Sequence, residues 1–252
     1  MLLARGVSAF VLLTLATGCN NTTGARPAIT VAAAANLSVA FSEIARQFEQ
    51  ETGVRVVYSY ASTAQLSQQI ENAAPFDVFA AADTAHVDDL IEKGRLTRES
   101  RAIYARGRLA LWIPRANTPT LEYLATPAVR FIAIASPGVA PYGQAAVEAM
   151  KASGLWHSVQ SKIVYASNIS MATQHAASGN ADAAFTALSL VLTHKTTVLQ
   201  IDEKLHSPLD QGLGIVASSS EKERANRFRT FLLGPSGRAI LARYGYTFPV
   251  VK

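Results

Sequence analysis

A single cysteine, Cys19, stands among 252 residues. With no second thiol, a disulfide inside the chain and paired-cysteine metal or redox sites are excluded. The histidines at 86, 157, 175, 194 and 206 never fall into HExxH or His-x-x-x-His spacing, so no metal site is expected. Gly-x-Ser-x-Gly is also missing, which leaves an acyl-transfer nucleophile without its usual setting. Charged residues make up only 16% of the chain, and the formal excess of +5 is not gathered anywhere. Arg101, Arg106, Arg108 and Arg115 lie among apolar residues, while Lys222 and Arg224 alternate with Glu221 and Glu223, as on a solvated surface. Nucleic-acid binding wants a concentrated basic stripe with stacking aromatics, and neither is present.

No apolar run reaches the ~20 residues that cross a bilayer. The run from Val7 to Leu15 instead follows one early arginine and precedes small residues and Cys19, the pattern of a secretory signal. Leu15-Ala16-Thr17-Gly18-Cys19 is similar to a bacterial lipobox. Residues 1–19 therefore read as a lipoprotein-type signal peptide with Cys19 as the lipid acceptor, and residues 20–27 as a tether. Several acyl chains would then hold the mature protein to a membrane on the periplasmic or extracytoplasmic side. Ordinary cleavage nearby, leaving a free thiol, is the alternative.

About half of the residues are apolar, enough for a packed globule of one large domain or two small ones. Ile29–Ala33 is a short apolar run that suits a buried strand, and Leu37, Phe41, Ile44 and Phe48 then recur at helical spacing. Val54–Tyr60 is a second strand, rich in β-branched and aromatic residues, and Leu66 and Ile70 mark a second helix. A third strand, Asp77–Ala81, precedes a helix opened by Asp83 and ending at Gly94. Further strands are expected at Leu109–Ile113, Phe131–Ala135, Ile163–Tyr165, Ala183–Ala187 and Leu213–Ala217. Helices are expected after Pro141, over Ile169–Ala177, and through Glu221–Tyr244 with a break at Gly234-Pro235. Repeated βα units predict parallel sheet. If there are two domains, the chain crosses between them near Arg106–Leu109 and His206–Leu213. Residues 28–107 with 213–252 would form one lobe and 108–212 the other.

Four polar helix starts stand out. They are Asn36 with Ser38, Ser62 with Thr63, Tyr142 with Gly143, and Asn168 with Ile169. Each alone reads as an ordinary cap. Together they follow strands at the carboxyl edge, where open α/β sheets bind ligands, and two come from each expected lobe. Helix starts carry unpaired N–H groups and partial positive charge, so they seat anions. A helix terminus contributes only ~0.3–1 kcal/mol. Hydrogen bonds to a charged group give roughly 1.5–3 kcal/mol each, and micromolar binding needs ~8 kcal/mol. Several converging neutral donors are therefore sufficient, with no arginine required. Asp77 and Asp83 could form an acid pair, but turn and cap roles account for both. Gly212-Leu213-Gly214-Ile215-Val216-Ala217 fits a loose dinucleotide pattern, yet it lies inside a strand rather than at a strand-to-helix turn.

The phrases VAAAANLSVAFSEIARQFE, YASTAQLSQQI, PFDVFAAAD, SNISMAT and GPSGRAILARYGYTF, from Ile29 to Phe248, carry a resemblance. They resemble the periplasmic molybdate-binding proteins of bacterial ABC importers. The resemblance implies an α/β, two-lobed periplasmic-binding-protein fold of type II, with two crossover strands, closing on molybdate or tungstate. It implies Asn36, Thr63, Tyr142 and the Ile169 backbone as oxyanion donors, with Ala35, Ser62 and Asn168 as secondary candidates. The commonest form of the family has serines at the first two places. A branch with asparagine at the first is similar to this chain and brings its tyrosine from an Ala-Pro-Tyr-Gly turn, matched here by Ala140-Pro141-Tyr142-Gly143. Ala187 falls where the commoner branch keeps its tyrosine.

The resemblance further implies an ABC permease and ATPase as partners, a monomer, no catalytic residues and no cofactor, molybdenum being bound as an oxyanion rather than through cation ligands. Another anion, such as sulfate, phosphate or an organic anion, is the alternative within the binding class. An extracytoplasmic enzyme or a signalling ectodomain on the same scaffold are the alternatives outside it.

Overall fold

The computed structural model describes residues 27–192 and 197–249. The signal segment, Cys19, nearly all of the tether and His194 lie outside the described residues.

Two five-stranded sheets organise the chain. The first contains β1 (Ala28–Ala34), β2 (Arg55–Ala61), β3 (Val78–Ala80), β4 (Ala102–Arg106) and β10 (Asp210–Ile215), in the order β2-β1-β3-β10-β4. The second contains β5 (Leu109–Trp112), β6 (Ile132–Ala135), β7 (Ile163–Ala166), β8 (Ala183–Ala187) and β9 (Val198–Gln200), in the order β7-β6-β8-β5-β9. The helices are α1 (Ser38–Thr52), α2 (Thr63–Glu71), α3 (Ala85–Glu92), α4 (Pro141–Ala152), α5 (Trp156–Val159), α6 (Ile169–Ala177), α7 (Leu188–Val191), α8 (Lys222–Leu233) and α9 (Pro235–Arg243).

The sheets are mixed, which corrects the parallel expectation. β1 runs parallel to β2 and β3, and β6 parallel to β7 and β8. β10 is antiparallel to β3 and β4, and β5 is antiparallel to β8 and β9. The reason is connectivity. β5 and β10 each enter their sheet from the other lobe, not through a helix on its own face, so the rule for βαβ units does not apply to them. The return strand begins at Asp210 rather than Leu213, because its ladder already starts opposite Arg106. The expected lobe boundary between 212 and 213 therefore falls inside β10.

The two crossings run side by side. Gly107 N donates to Leu209 O at 2.9 Å, and Arg106 Nε donates to Asp210 Oδ1 at 2.6 Å. Arg106 is thus ion-paired rather than simply solvated, as are Arg101 with Asp88 and Arg108 with Glu203.

Local chemistry explains the elements near the cleft. α1 buries Phe41, Ile44 and Phe48 on one face. It ends at Gly53, whose φ of 70° is a left-handed cap. Phe48 meets Phe228 of α8 edge-on, with ring centroids 5.4 Å apart, so the C-terminal helices complete the first lobe. β1 ends in Ala32, Ala33 and Ala34, all buried. These small side chains leave room at the strand's carboxyl end.

Candidate functional site

The four polar starts all lie at carboxyl ends of strands. β1 runs into a tight 3-10 turn, Ala35–Leu37, before α1. β2 leads into α2, β6 into α4 and β7 into α6. Asn36, Thr63, Tyr142 and Ile169 line one cavity, together with Ala35, Ser62 and Asn168. Ala34, Ala61, Ala82, Ala140 and Pro141 fill the gaps between them, so none of the lining residues is charged. Ser38 and Gly143, which the sequence placed beside these residues, are not among the lining. The cavity is nearly closed, with about 10 Å³ of free volume, far below the ~300–1,000 Å³ of sites for larger organic ligands. The turns touch across it. Ser170 Oγ donates to Ala35 O at 2.9 Å, Ser189 Oγ to Asn36 O at 2.8 Å, and Ala64 N to Val139 O at 3.2 Å.

Each donor is held differently. Thr63 Oγ1 accepts the Ala82 N–H at 3.1 Å, which leaves its own proton to donate. Ser62 closes a capping box with Gln65, and its hydroxyl donates to Gln65 Oε1 at 2.9 Å. Its proton is therefore engaged, and Thr63 is the hydroxyl free to face a ligand. Asn168 caps α6 by accepting the Met171 N–H at 3.0 Å. Ile169 is the first residue of that helix, so its N–H has no acceptor within the helix.

Asn36 is buried, and its Nδ2 donates to Gln211 Oε1 at 2.9 Å and to Tyr246 Oη at 3.0 Å. Both amide hydrogens are thereby directed away from a ligand, leaving the N–H groups of the 3-10 turn as this segment's free donors. Tyr142 opens α4 behind Pro141 at the first helical position, where proline is favoured. Its hydroxyl is buried without a hydrogen-bond partner, as is Asn36 Oδ1.

Burial, and then the nearby Tyr246, push the Tyr142 phenol well above the ordinary tyrosine range. Burial likewise takes Tyr246 up to about 12, against the pull of its hydrogen bonds to Ser189 and Asn36. These hydroxyls are neutral donors at any physiological pH. A wider hollow beside the cavity, of about 280 Å³, shares Ala140 and Pro141 but is lined by Asp83, His86 and Glu148. Its carboxylates make it a poor seat for an anion.

The acid pair does not form a site. Asp77 ties Thr30 N–H and the Ser219 hydroxyl, and Asp83 accepts both the backbone N–H and ring Nδ1 of His86. Among the described residues no group of three or more His, Cys, Asp or Glu could hold a metal ion. No helix among them is long and apolar enough to cross a membrane.

Sequence reasoning missed the back wall. Gln211, Tyr246, Ser189 and Tyr104 form a buried polar network behind Asn36. Gly107 stands against Tyr142, where an added Cβ would lie 2.0 Å from Oη. Gly107 and Gln211 fell in the expected crossing segments, and nothing there marked either as part of the site.

The chain matches the bacterial extracellular solute-binding protein family over residues 29–247. The molybdate-binding protein ModA of Azotobacter vinelandii is 34% identical over 226 residues, covering 86% of this chain and 89% of the relative. The chain belongs to this family of bacterial extracellular solute-binding proteins. ModA of Rhodobacter capsulatus is 32% identical over 220 residues, covering 86% of this chain and 87% of that one. The solved periplasmic molybdate-binding protein of Azotobacter vinelandii has a TM-score of 0.83 at 32% identity, covering 88% of this chain and 99% of its own. The two-lobed architecture of type II periplasmic binding proteins follows from that match and from the paired sheets. Family membership places the chain outside the cytoplasm, as a binding protein and not an enzyme.

Proposed function

We propose that this protein captures molybdate, or the similar tungstate, and delivers it to an ABC permease and ATPase. The observation that carries the reading is the buried, unpartnered Tyr142 hydroxyl in a small uncharged cavity, opposite the free donor of Thr63. A buried hydroxyl without a partner calls for an acceptor, and a tetrahedral oxyanion supplies several. Thr63 and the turn at Ala35–Asn36 donate from one lobe, and Tyr142 and the Ile169 N–H from the other. Ser62 and Asn168 hold the helix starts in place. A rigid set of donors also selects by size, since a smaller oxyanion cannot reach all of them at once. The relatives named for molybdate support this choice of ion.

The lobes are taken as 28–107 with the C-terminal segment, and 108 to the start of β10. The anion favours the joined arrangement by its contacts with both. The protein works as a monomer, tethered by a lipid on Cys19 after signal cleavage. Mass spectrometry of the mature N-terminus tests the anchor, and an unmodified Cys19 removes it.

Calorimetric titration of the mature protein with molybdate, tungstate, sulfate and phosphate tests the function. Saturable heat with molybdate or tungstate is expected. Silence with both, alongside clear binding of sulfate or phosphate, would reassign the ligand.

A further inference from the structure

Gln211 is wholly buried near the start of β10, the strand by which the chain returns to the first sheet. Its Nε2 donates to Leu209 O at 3.2 Å and to Ala82 O at 3.4 Å. Carbonyls only accept, so the nitrogen must face them and Oε1 must face the other way. That oxygen accepts from Asn36 Nδ2 at 2.9 Å and from the Tyr104 hydroxyl at 3.3 Å. The orientation of Asn36 follows in turn, because its nitrogen, not its oxygen, has to meet Gln211. Tyr246 Oη takes the second amide hydrogen at 3.0 Å.

Two main-chain carbonyls thus fix one carboxamide, and that carboxamide fixes the next. What remains unpaired is Asn36 Oδ1 and the Tyr142 hydroxyl. The Tyr142 phenol stands beside both Asn36 and Gln211. Gly107 packs against the same pair, and a Cβ there would lie 2.0 Å from Tyr142 Oη and 2.9 Å from Gln211 Nε2. The network reaches the cavity from behind and leaves one hydroxyl open for a ligand.

We infer that Gln211 is a positioning residue that sets the oxyanion selectivity of this site. The inference rests on the oxyanion reading above. With Gln211 in place, Asn36 cannot turn its amide donors into the cavity, and the turn that carries it is pinned. The donors left to the anion then keep fixed separations. An ion too small to span them loses contacts, and that loss is the selectivity. Without Gln211, Asn36 keeps only its hydrogen bond to Tyr246 and turns more readily to follow a smaller ion inward.

The test is calorimetric titration of wild type, Gln211→Met and Gln211→Glu with sodium molybdate and sodium sulfate, with circular dichroism and urea midpoints reporting folding. Methionine keeps the length and removes every hydrogen bond. Molybdate affinity is expected to fall about tenfold or more, and the molybdate-to-sulfate ratio to fall with it. An unchanged affinity overturns the inference. So does a uniform loss that leaves the ratio intact, since that would mark a merely structural residue.

The Gln211→Glu variant decides the matter if the methionine variant does not fold. At about pH 8 its carboxylate faces two carbonyls and lies near the anion, so binding is weak. Burial favours the protonated form. By about pH 5.5 the neutral carboxyl donates to one carbonyl and keeps its other oxygen for Asn36, so affinity recovers toward wild type. A pH profile parallel to wild type overturns the inference. A wild-type protein that takes neither anion overturns the oxyanion reading itself. Wild-type binding of molybdate beside variants with unchanged selectivity removes Gln211 alone.

Discussion

In the first lobe the hydroxyl turned toward the cavity, that of Thr63, also accepts the Ala82 N–H at 3.1 Å. In the second lobe the corresponding hydroxyl, that of Tyr142, has no well-formed hydrogen bond, although the Asn36 and Gln211 amides lie beside it. Both sheets set three parallel strands beside one antiparallel strand, with a fifth strand beyond it running with the three. The lobes therefore share a plan and differ in how their donors are held. Thr63 belongs to the fold as well as to the site, because it joins the turn after β3 to the start of α2. Tyr142 is braced mainly by packing, with Gly107 giving way to its ring. A site of this kind has one wall fixed by hydrogen bonds and one wall fixed by packing. Ligand specificity then depends on both walls, while stability depends more on the first.

The strongest way to break the packed wall is Gly107→Val. Its Cβ would sit 2.0 Å from Tyr142 Oη, so the tyrosine must leave its place. Overpacking of this kind costs about 1–3 kcal/mol of stability, and anion affinity should fall at least about 100-fold through the displaced donor. Gly138→Ala is the control, since nothing lies within 4 Å of its Cβ. Urea unfolding and calorimetry read the two effects.

Tyr142→Phe and Thr63→Val sharpen the contrast. Each removes one hydrogen bond to a charged ligand, worth about 1.5–3 kcal/mol, or roughly 10- to 150-fold in affinity. Their effects on stability should differ. Phenylalanine removes an unpartnered hydroxyl and leaves stability equal or higher. Valine strands the Ala82 N–H and costs about 1–3 kcal/mol. If both variants lose stability alike, the distinction between the walls is wrong.

The helix caps come next. Ser62→Ala opens the capping box of α2, and Asn168→Ala removes the cap of α6, whose bond to Met171 N is 3.0 Å. Each should cost about 1 kcal/mol of stability. Affinity should change less than with the donor variants, because neither side chain is the free donor of its turn.

How much of this could be read from the chain itself follows from distance along it. The elements from Ile29 to Gly94 were legible because apolar period and stop signal agree within each one, although α1 opens without a side-chain cap and Asp83 stands one residue before the cap position of α3. The four polar starts were legible for the same reason, since Asn168 and Ser62 announce their helices locally. β4 was not. Its residues Ala102–Arg106 end in an arginine that reads as surface, and only the partner Asp210 shows that Arg106 closes an ion pair beside the crossing. Gln211 and Asn36 are 175 residues apart, and Tyr246 and Asn36 are 210 apart. No local pattern marks a pair of that kind. The antiparallel return of β10 was hidden likewise, because only the second lobe's position explains it. The family resemblance supplied candidate ligand residues but not the network behind them.

The smallest effect concerns the turn after β3, where His86 Nδ1 meets Asp83 Oδ2 at 2.8 Å in the first lobe. The hydrogen bond to Asp83 raises the histidine's pKa above its ordinary 6.5, while burial pulls the other way. A raised value means that the folded protein holds the proton more tightly than the unfolded chain does. The stabilisation is therefore complete below about pH 6.5 and is lost as pH rises through the higher folded value. Partial exposure of the pair keeps the effect under about 1 kcal/mol. Urea unfolding of wild type and His86→Gln should show its largest difference near pH 5.5 and almost none near pH 9, at the ~1 kcal/mol scale or below. A difference that grows with rising pH would mean that the pair does not hold its proton in the folded state. It would also break the assignment of this response to the wall that is built from hydrogen bonds.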